Sequence, residues 1–185
     1  MKDTLPPPNS YWLDENDRII RVSAGWDQFA MINDGHAALS ANIIGKPLTD
    51  FINGARTRHW MQTVLALTRL RNEPIEKLYR CDSTVEKRFM RMDVIPEPYG
   101  VLQIKHTVLV MESLPTEFVF NSVLFSHKAY ISRCSNCLRL HIGERWLEPD
   151  EAYYAETLDL GQPLPVIYDV CKTCRVDSNE VVTYF

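Results

Sequence analysis

Short stretches of alternating apolar and polar residues open the chain. Residues 11–13 and 18–23 carry the side chains typical of two strands, and the polar residues 14–17 between them indicate a turn. Residues 25–32 then predict a short helix. The glycines and prolines between residues 35 and 47 favour brief helical turns over one long element.

The longest helical pattern follows at residues 57–71, where Trp60, Val64, Leu67 and Arg71 share one face. Three strands come next, at residues 76–81, 87–95 and 101–111. In the middle strand, Met90, Met92 and Val94 alternate with charged residues, which predicts that one side of the strand is buried. Two strands, several helices and three further strands indicate an α+β domain, a five-stranded antiparallel sheet with short helices on one face.

Two Cys-x-x-Cys pairs, Cys134/Cys137 and Cys171/Cys174, are the most specific chemical signal in the sequence. Each pair can present two thiolates from one tight turn, and four sulfurs match the tetrahedral shell of a structural Zn2+. The 33 residues between the pairs are enough for a small hairpin or helix that closes the site. A closed shell has no position for substrate, so the pattern predicts structural zinc. The alternatives that the spacing leaves open are rubredoxin-like iron, two local disulfides and four unrelated buried thiols.

Composition narrows the class of protein. With 45% hydrophobic and 24% charged residues, the chain is typical of a globular protein that can bury a core. The net charge of −4 gives no electrostatic reason to expect nucleic acid or an anionic membrane as a partner. The first residues lack the apolar segment of a secretory signal, and four of the five cysteines have metal-type spacing. We therefore expect a cytoplasmic protein with no membrane or nucleic-acid partner.

Several segments match a known family. They are Asp17-Arg-Ile-Ile-Arg-Val-Ser23, Asn42-Ile-Ile-Gly-Lys-Pro-Leu48, the long helix and the three-strand meander. On these residues, the segment 11–112 resembles a PAS domain, the sensor module of bacterial signalling proteins. Small proteobacterial proteins of this kind often carry a Cys-x-x-Cys tail with a tryptophan after the first pair, here Trp146. The resemblance implies a PAS domain followed by a small four-cysteine zinc module.

The resemblance also implies a ligand pocket on the inner face of the sheet, under the short helices. The candidate pocket residues are Phe29, Phe51, Trp60, Tyr79, Cys81, Met92, Ile104 and His106. The competing interpretation is that these side chains simply fill the core. Haem held by His59 is disfavoured because that residue can lie in an exposed first helical turn. Photoreactive flavin is disfavoured because residues 51–56 contain no cysteine.

The domain boundaries follow from these patterns and from Pro115. We expect an extended lead-in at 1–10, a PAS domain at 11–113, a connecting segment at 114–132 and a four-cysteine zinc-binding module at 133–185.

The sequence contains no glycine-rich phosphate loop, Gly-x-Ser-x-Gly or His-Glu-x-x-His motif, so we expect no enzyme. The expected function is signal transduction through contact with a signalling protein that the sequence does not identify. A PAS pocket could hold a small molecule, and the resemblance implies a homodimer. Two alternatives remain: a thiol-redox sensor switched at the four cysteines, and an iron electron-transfer protein.

Overall fold

The computed structural model describes residues 5–33, 35–52, 54–123 and 129–174. The chain divides into two compact units, the first made of Met1–Tyr79 and Phe89–Val110 and the second of Arg80–Arg88 and Met111–Phe185. The linear sequence does not suggest that residues 80–88 group with the C-terminal part. Parts of the predicted lead-in (1–4), connecting segment (124–128) and cysteine module (175–185) lie outside the described residues.

The first sheet has five strands in the order β2-β1-β5-β4-β3. They are β1 (Asn9–Leu13), β2 (Ile19–Val22), β3 (Ile75–Arg80), β4 (Glu86–Pro96) and β5 (Leu102–Ser113). Strand β1 pairs antiparallel with both β2 and β5. Short loops join β3 to β4 and β4 to β5, and neighbouring strands joined by such short loops are antiparallel.

Three α-helices lie between β2 and β3 in chain order: α1 (Trp26–Ile32), α2 (Ser40–Ile43) and α3 (Ala55–Arg71). The longest of them, α3, begins two residues before the predicted start at 57 and ends at Arg71 as predicted. Asn72 stops the helix because its left-handed backbone (φ 53°, ψ 37°) turns the chain while its N–H still donates to the Thr68 carbonyl. Short 3₁₀ turns occupy His36–Ala38, Leu48–Phe51 and Pro98–Gly100.

The core of the first unit is formed by apolar residues of α3, the short helices and the sheet. Leu13, Val64, Val94, Leu102 and Ile104 are all fully buried within it. The predicted alternation in β4 is confirmed, since Met90, Met92 and Val94 are at most 5% exposed. This arrangement is the α+β fold with a five-stranded sheet that the sequence predicts.

The second unit contains another five-stranded sheet, in the order β6-β10-β7-β8-β9. Its strands are β6 (Phe120–Ser122), β7 (Ile131–Cys134), β8 (Leu140–Ile142), β9 (Arg145–Leu147) and β10 (Leu164–Asp169). Strand β10 is parallel to β6 and β7, whereas β7, β8 and β9 pair antiparallel. The segment between the cysteine pairs is therefore more elaborate than the single hairpin or helix expected.

One short helix, α4 (Pro149–Tyr154), follows β9. A capping box stabilises it: the Glu148 N–H donates to the Glu151 carboxylate at 2.8 Å, and the Glu148 side chain accepts a backbone N–H in return. Phe118, 1% exposed, packs edge-on against Tyr153. No helix in the described ranges is both long and apolar enough to cross a membrane.

Candidate metal centre

The side chains of Cys134, Cys137, Cys171 and Cys174 meet in the second unit. Their four sulfur atoms all lie within 4.8 Å of one another, which confirms that the predicted ligands form one cluster. Cys134, Cys171 and Cys174 are buried, and Cys137 is partly exposed. Within the described residues, no histidine or carboxylate joins this group.

Parallel strand pairing brings the two distant pairs together. Strands β7 and β10 lie side by side with Asp169 opposite Cys134, so both strands end at the same edge of the sheet. Each Cys-x-x-Cys pair lies at the end of one of these strands. The sheet register therefore determines the distance between the two pairs. The two-residue spacing within each pair determines how close its own two thiols lie.

The distances between the sulfurs suit a tetrahedral ion. Sulfurs about 2.3 Å from a central zinc are about 3.8 Å from each other in a tetrahedron. The Cys137 and Cys171 sulfurs are 3.8 Å apart, and none of the cysteines in the described residues forms a disulfide. This geometry could therefore hold a metal ion.

Backbone amides also point at the sulfurs. The N–H of Cys171 donates to Sγ of Cys134 at 3.4 Å, and the N–H of Cys174 donates to Sγ of Cys171 at 3.5 Å. A hydrogen bond from the Cys137 side chain lowers the pKa of Cys134 to about 4, assisted by the Cys171 amide and opposed by burial. At Cys134 these donors favour the thiolate, which is the form that binds a metal, whereas the hydrogen bond with Cys134 and burial raise the pKa of Cys137.

Trp146, the tryptophan that the resemblance singled out, packs against the cysteine cluster with Val170. Its ring lies 4.9 Å from the ring of His141. His141 is exposed and belongs to β8, so it covers Trp146 and is not one of the clustered ligands.

Buried charges are a second feature of this unit that the sequence pattern did not reveal. Arg80, Lys87 and Arg133 are each at most 7% exposed. Arg80 pairs with Asp82 at 2.7 Å and with Glu148 at 3.0 Å. These partners are up to 68 residues apart in sequence, so no local pattern could have indicated them.

The residues predicted to line a pocket differ in how deeply they are buried. Met92 and Ile104 are buried in the apolar core, and Trp60 and Tyr79 pack against it while partly buried. Phe29 is also partly buried, whereas Phe51 is 39% exposed. Cys81 is exposed and belongs to the second unit. Phe51 and Cys81 are therefore not part of the buried apolar cluster.

Tyr79 and His106 form the most polar feature among these residues. The Tyr79 hydroxyl lies 2.7 Å from Nδ1 of His106. The imidazole also stacks on Tyr11, with ring centroids 5.6 Å apart. Burial lowers the pKa of His106 to about 4, although the nearby Asp93 carboxylate acts in the opposite direction. The imidazole is therefore neutral at pH 7 and can both donate and accept a hydrogen bond.

His59, the residue considered for haem, is exposed on α3, and its carbonyl accepts a hydrogen bond from the Thr63 hydroxyl.

Comparison with known proteins gives structural neighbours only. No protein-family model matches the chain, and no curated protein does. A domain of an HTR-like protein from Haloarcula marismortui ATCC 43049 is similar with a TM-score of 0.43 and 12% identity, covering 57% of this chain and 100% of that one. The PAS domain of Bordetella pertussis BvgS is similar with a TM-score of 0.37 and 15% identity, covering 56% of this chain and 73% of that one. Because identities and TM-scores are low, no property of either protein is transferred to this chain.

Proposed function

We propose that this chain is a non-enzymatic PAS-type sensor that acts through protein–protein contact and carries one structural Zn2+ in its second unit. The observation that carries the zinc assignment is the cluster of four cysteine sulfurs within 4.8 Å. Four protein ligands complete a tetrahedral shell, so the ion would stabilise the unit and offer no position to a substrate. A structural zinc would also supply folding energy that a small core lacks.

Elemental analysis combined with native mass spectrometry tests this proposal. Full-length protein purified in reductant, without chelators, is expected to carry one zinc per chain. Protein without metal would refute the zinc site, and stoichiometric iron would favour the electron-transfer alternative. The same spectra would reveal a retained small molecule, which the proposed sensor role predicts for the first unit.

The Tyr79–His106 pair supports a ligand-binding role for the first unit. It places a neutral imidazole and a phenol beside an otherwise apolar core, where both could hydrogen-bond to a small polar molecule. If such a ligand copurifies, His106→Phe is expected to abolish its retention, while exchange of an exposed residue such as Ile20→Val should leave it in place.

Exposed apolar residues support protein contact. Leu78, Phe89 and Leu109 are 62%, 36% and 38% exposed and come from β3, β4 and β5. Large exposed apolar side chains grouped on one face mark interaction surfaces. We propose a second copy of the chain as the occupant, so sedimentation should give a dimer for the wild type and a monomer for Leu109→Asp. Replacement of exposed Ile20 with Asp is the control, and an unchanged dimer in the Leu109 variant would refute this surface.

A thiol-redox switch is the second candidate. Cys137 and Cys171 belong to different pairs, and their sulfurs are only 3.8 Å apart. Peroxide could take two electrons from these two thiolates, forming one S–S bond and water or hydroxide, and the site would then lose its ion. Zinc content and dimer state before and after mild peroxide separate the candidates. Zinc retained with an unchanged assembly would refute the switch.

A further inference from the structure

The loop joining β3 to β4 belongs to the same unit as the cysteine cluster. We call residues 80–88 the hairpin tip. The backbone N–H of Arg80 donates to the carbonyl of Asn136 at 2.9 Å. Asn136 lies between Cys134 and Cys137, inside the turn that presents both sulfurs. A metal that fixes this turn therefore also fixes the acceptor for Arg80.

Arg80 adds a buried ion pair to this backbone contact. Its guanidinium donates to both carboxylate oxygens of Asp82, at 2.9 and 2.7 Å, and to Glu148 at 3.0 Å. The side chains of Arg80 and Asp82 are 5% and 2% exposed. Burial lowers the pKa of Arg80, but the two carboxylates outweigh it and the net pKa is raised. Asp82 and Glu148 therefore both stabilise the buried guanidinium.

Arg133 connects the same carboxylate to the cysteine turn. It directly precedes Cys134, and its Nε donates to the Leu138 carbonyl just after Cys137 at 3.3 Å. Its guanidinium lies 4.0 Å from Asp82 and over the ring of Phe120 at 3.7 Å. Asp82 therefore lies between two buried arginines, one on the hairpin tip and one beside the first cysteine.

A third contact lies on the other side of the hairpin tip. Lys87, 7% exposed, pairs with Asp150 of α4 at 2.7 Å. Buried charges are tolerated only while they are held in place by partners. Disorder of the first cysteine turn would remove the Asn136 acceptor of Arg80 and the Leu138 acceptor of Arg133, both at a cost. Ordering of the tip and binding of the metal must then favour each other by the same factor.

We propose that the hairpin tip is a positioning element of the metal centre, ordered by the bound ion and in turn raising the affinity for it. Arg80, Asp82 and Arg133 act as positioning residues because they orient the cysteine turn without touching the ion. The inference rests on the proposed metal site. It goes beyond that site by assigning part of it to a segment 46 residues or more before the first cysteine ligand.

Zinc affinity of Asp82 variants tests one side of this linkage. Asp82→Asn retains the size of the side chain but places an amide group against two buried arginines. Competition with a chromophoric chelator is expected to show about a tenfold loss of zinc affinity. This is the lower end of the losses in metal affinity found when residues that support metal ligands are replaced. Asp82→Glu should recover part of it. Glu86→Gln is the control, since Glu86 pairs with Arg88 within the hairpin tip.

Amide exchange in wild-type full-length protein tests the other side. Zinc should slow exchange of the Arg80 amide at least about tenfold, as expected when local opening becomes coupled to a more stable structure. The adjacent Cys81 amide donates to Arg88 within the hairpin tip and should respond less. If the Asp82→Asn variant fails to fold, the effect of zinc on the exchange rate of the Arg80 amide in wild-type protein is the test of the inference.

The two possible failures are distinguishable. Wild-type protein that takes up no zinc would refute the metal site and this inference together. Zinc binding with an unchanged Arg80 exchange rate, or with full affinity in a folded Asp82→Asn variant, would overturn the inference and leave the metal site standing.

Discussion

The two units bury different kinds of residue. In the first, the buried cluster consists of aliphatic, aromatic and methionine side chains such as Leu13, Ile104 and Met92. In the second, one buried cluster consists of Cys134, Cys171 and Cys174. The second unit contains Arg80, Lys87 and Arg133, each at most 7% exposed, and Asp82, whose side chain is 2% exposed. An apolar core is self-sufficient, whereas clustered thiols and paired charges depend on partners and, in our account, on an ion.

The largest expected effect comes from removing one sulfur. Cys171→Ser should unfold the second unit, because structural zinc sites contribute about 10–16 kcal/mol of apparent binding free energy to folding. The first unit should keep its structure, since its core contains no cysteine. Limited proteolysis and backbone NMR of the full chain measure both outcomes.

Cys81→Ser is the matched control, because Cys81 is exposed and is not one of the clustered thiols. If the second unit of the Cys171→Ser protein stays folded, or if both units unfold together, the claim that only the second unit depends on an ion would be contradicted.

The reverse perturbation targets the apolar core. Ile104→Ala should destabilise the first unit by about 2–5 kcal/mol, because it leaves a cavity at a fully buried position. Urea unfolding followed by probes in each unit is the measurement, and zinc stoichiometry should not change. Ile20→Ala, at a residue that is 45% exposed, should cost far less. An equal loss in both variants would contradict the assigned core.

The sequence predicted the first unit well because its signals are local. Alternation of Met90, Met92 and Val94 indicated a half-buried strand, and Trp60, Val64 and Leu67 indicated a helix face. The helix face depends on residues within two turns of one another, and the strand pattern depends on residues a few positions apart. The four cysteine ligands were predictable for a similar reason, since two-residue gaps place both thiols of a pair on one turn.

The rest of the second unit could not be predicted in this way. Strands β6, β8 and β9 have three residues each, too few to show a period. The parallel pairing of β10 with β6 and β7 joins distant segments, and the contact of Arg80 with Glu148 spans 68 residues. Phe51 and Cys81 were placed with the pocket residues by a family pattern and by strand alternation, neither of which reports exposure.

A smaller effect is expected from pH, and it belongs to the first unit. The pKa of His106 is about 4, below its unfolded value, so the unfolded chain binds more protons between these values and stability falls as pH decreases. Between pH 7 and 5 this amounts to about 2 kcal/mol, and it should be absent in His106→Gln.

NMR titration of the His106 imidazole measures its lowered pKa directly. A titration midpoint of His106 near 6.5 would show that the residue is not buried as described and would remove this difference between the units.

The smallest effect concerns the capping box of α4. Glu151→Ala should destabilise the second unit by about 1 kcal/mol, because the Glu148 N–H loses its acceptor. Glu151→Gln retains an acceptor oxygen and should cost less. Thermal unfolding of the zinc-loaded protein, followed by a probe in α4, gives the comparison; equal midpoints for Ala and Gln would contradict the capping role.

The central claim is that four cysteines form one tetrahedral metal site that organises the second unit. Titration of reduced, metal-free full-length protein with Co2+, a spectroscopic substitute for Zn2+, tests it most directly. We predict visible absorption typical of tetrahedral thiolate coordination that saturates at one equivalent and is lost on adding zinc. Spectra typical of six-coordinate cobalt, or no saturation at one equivalent, would contradict the claim.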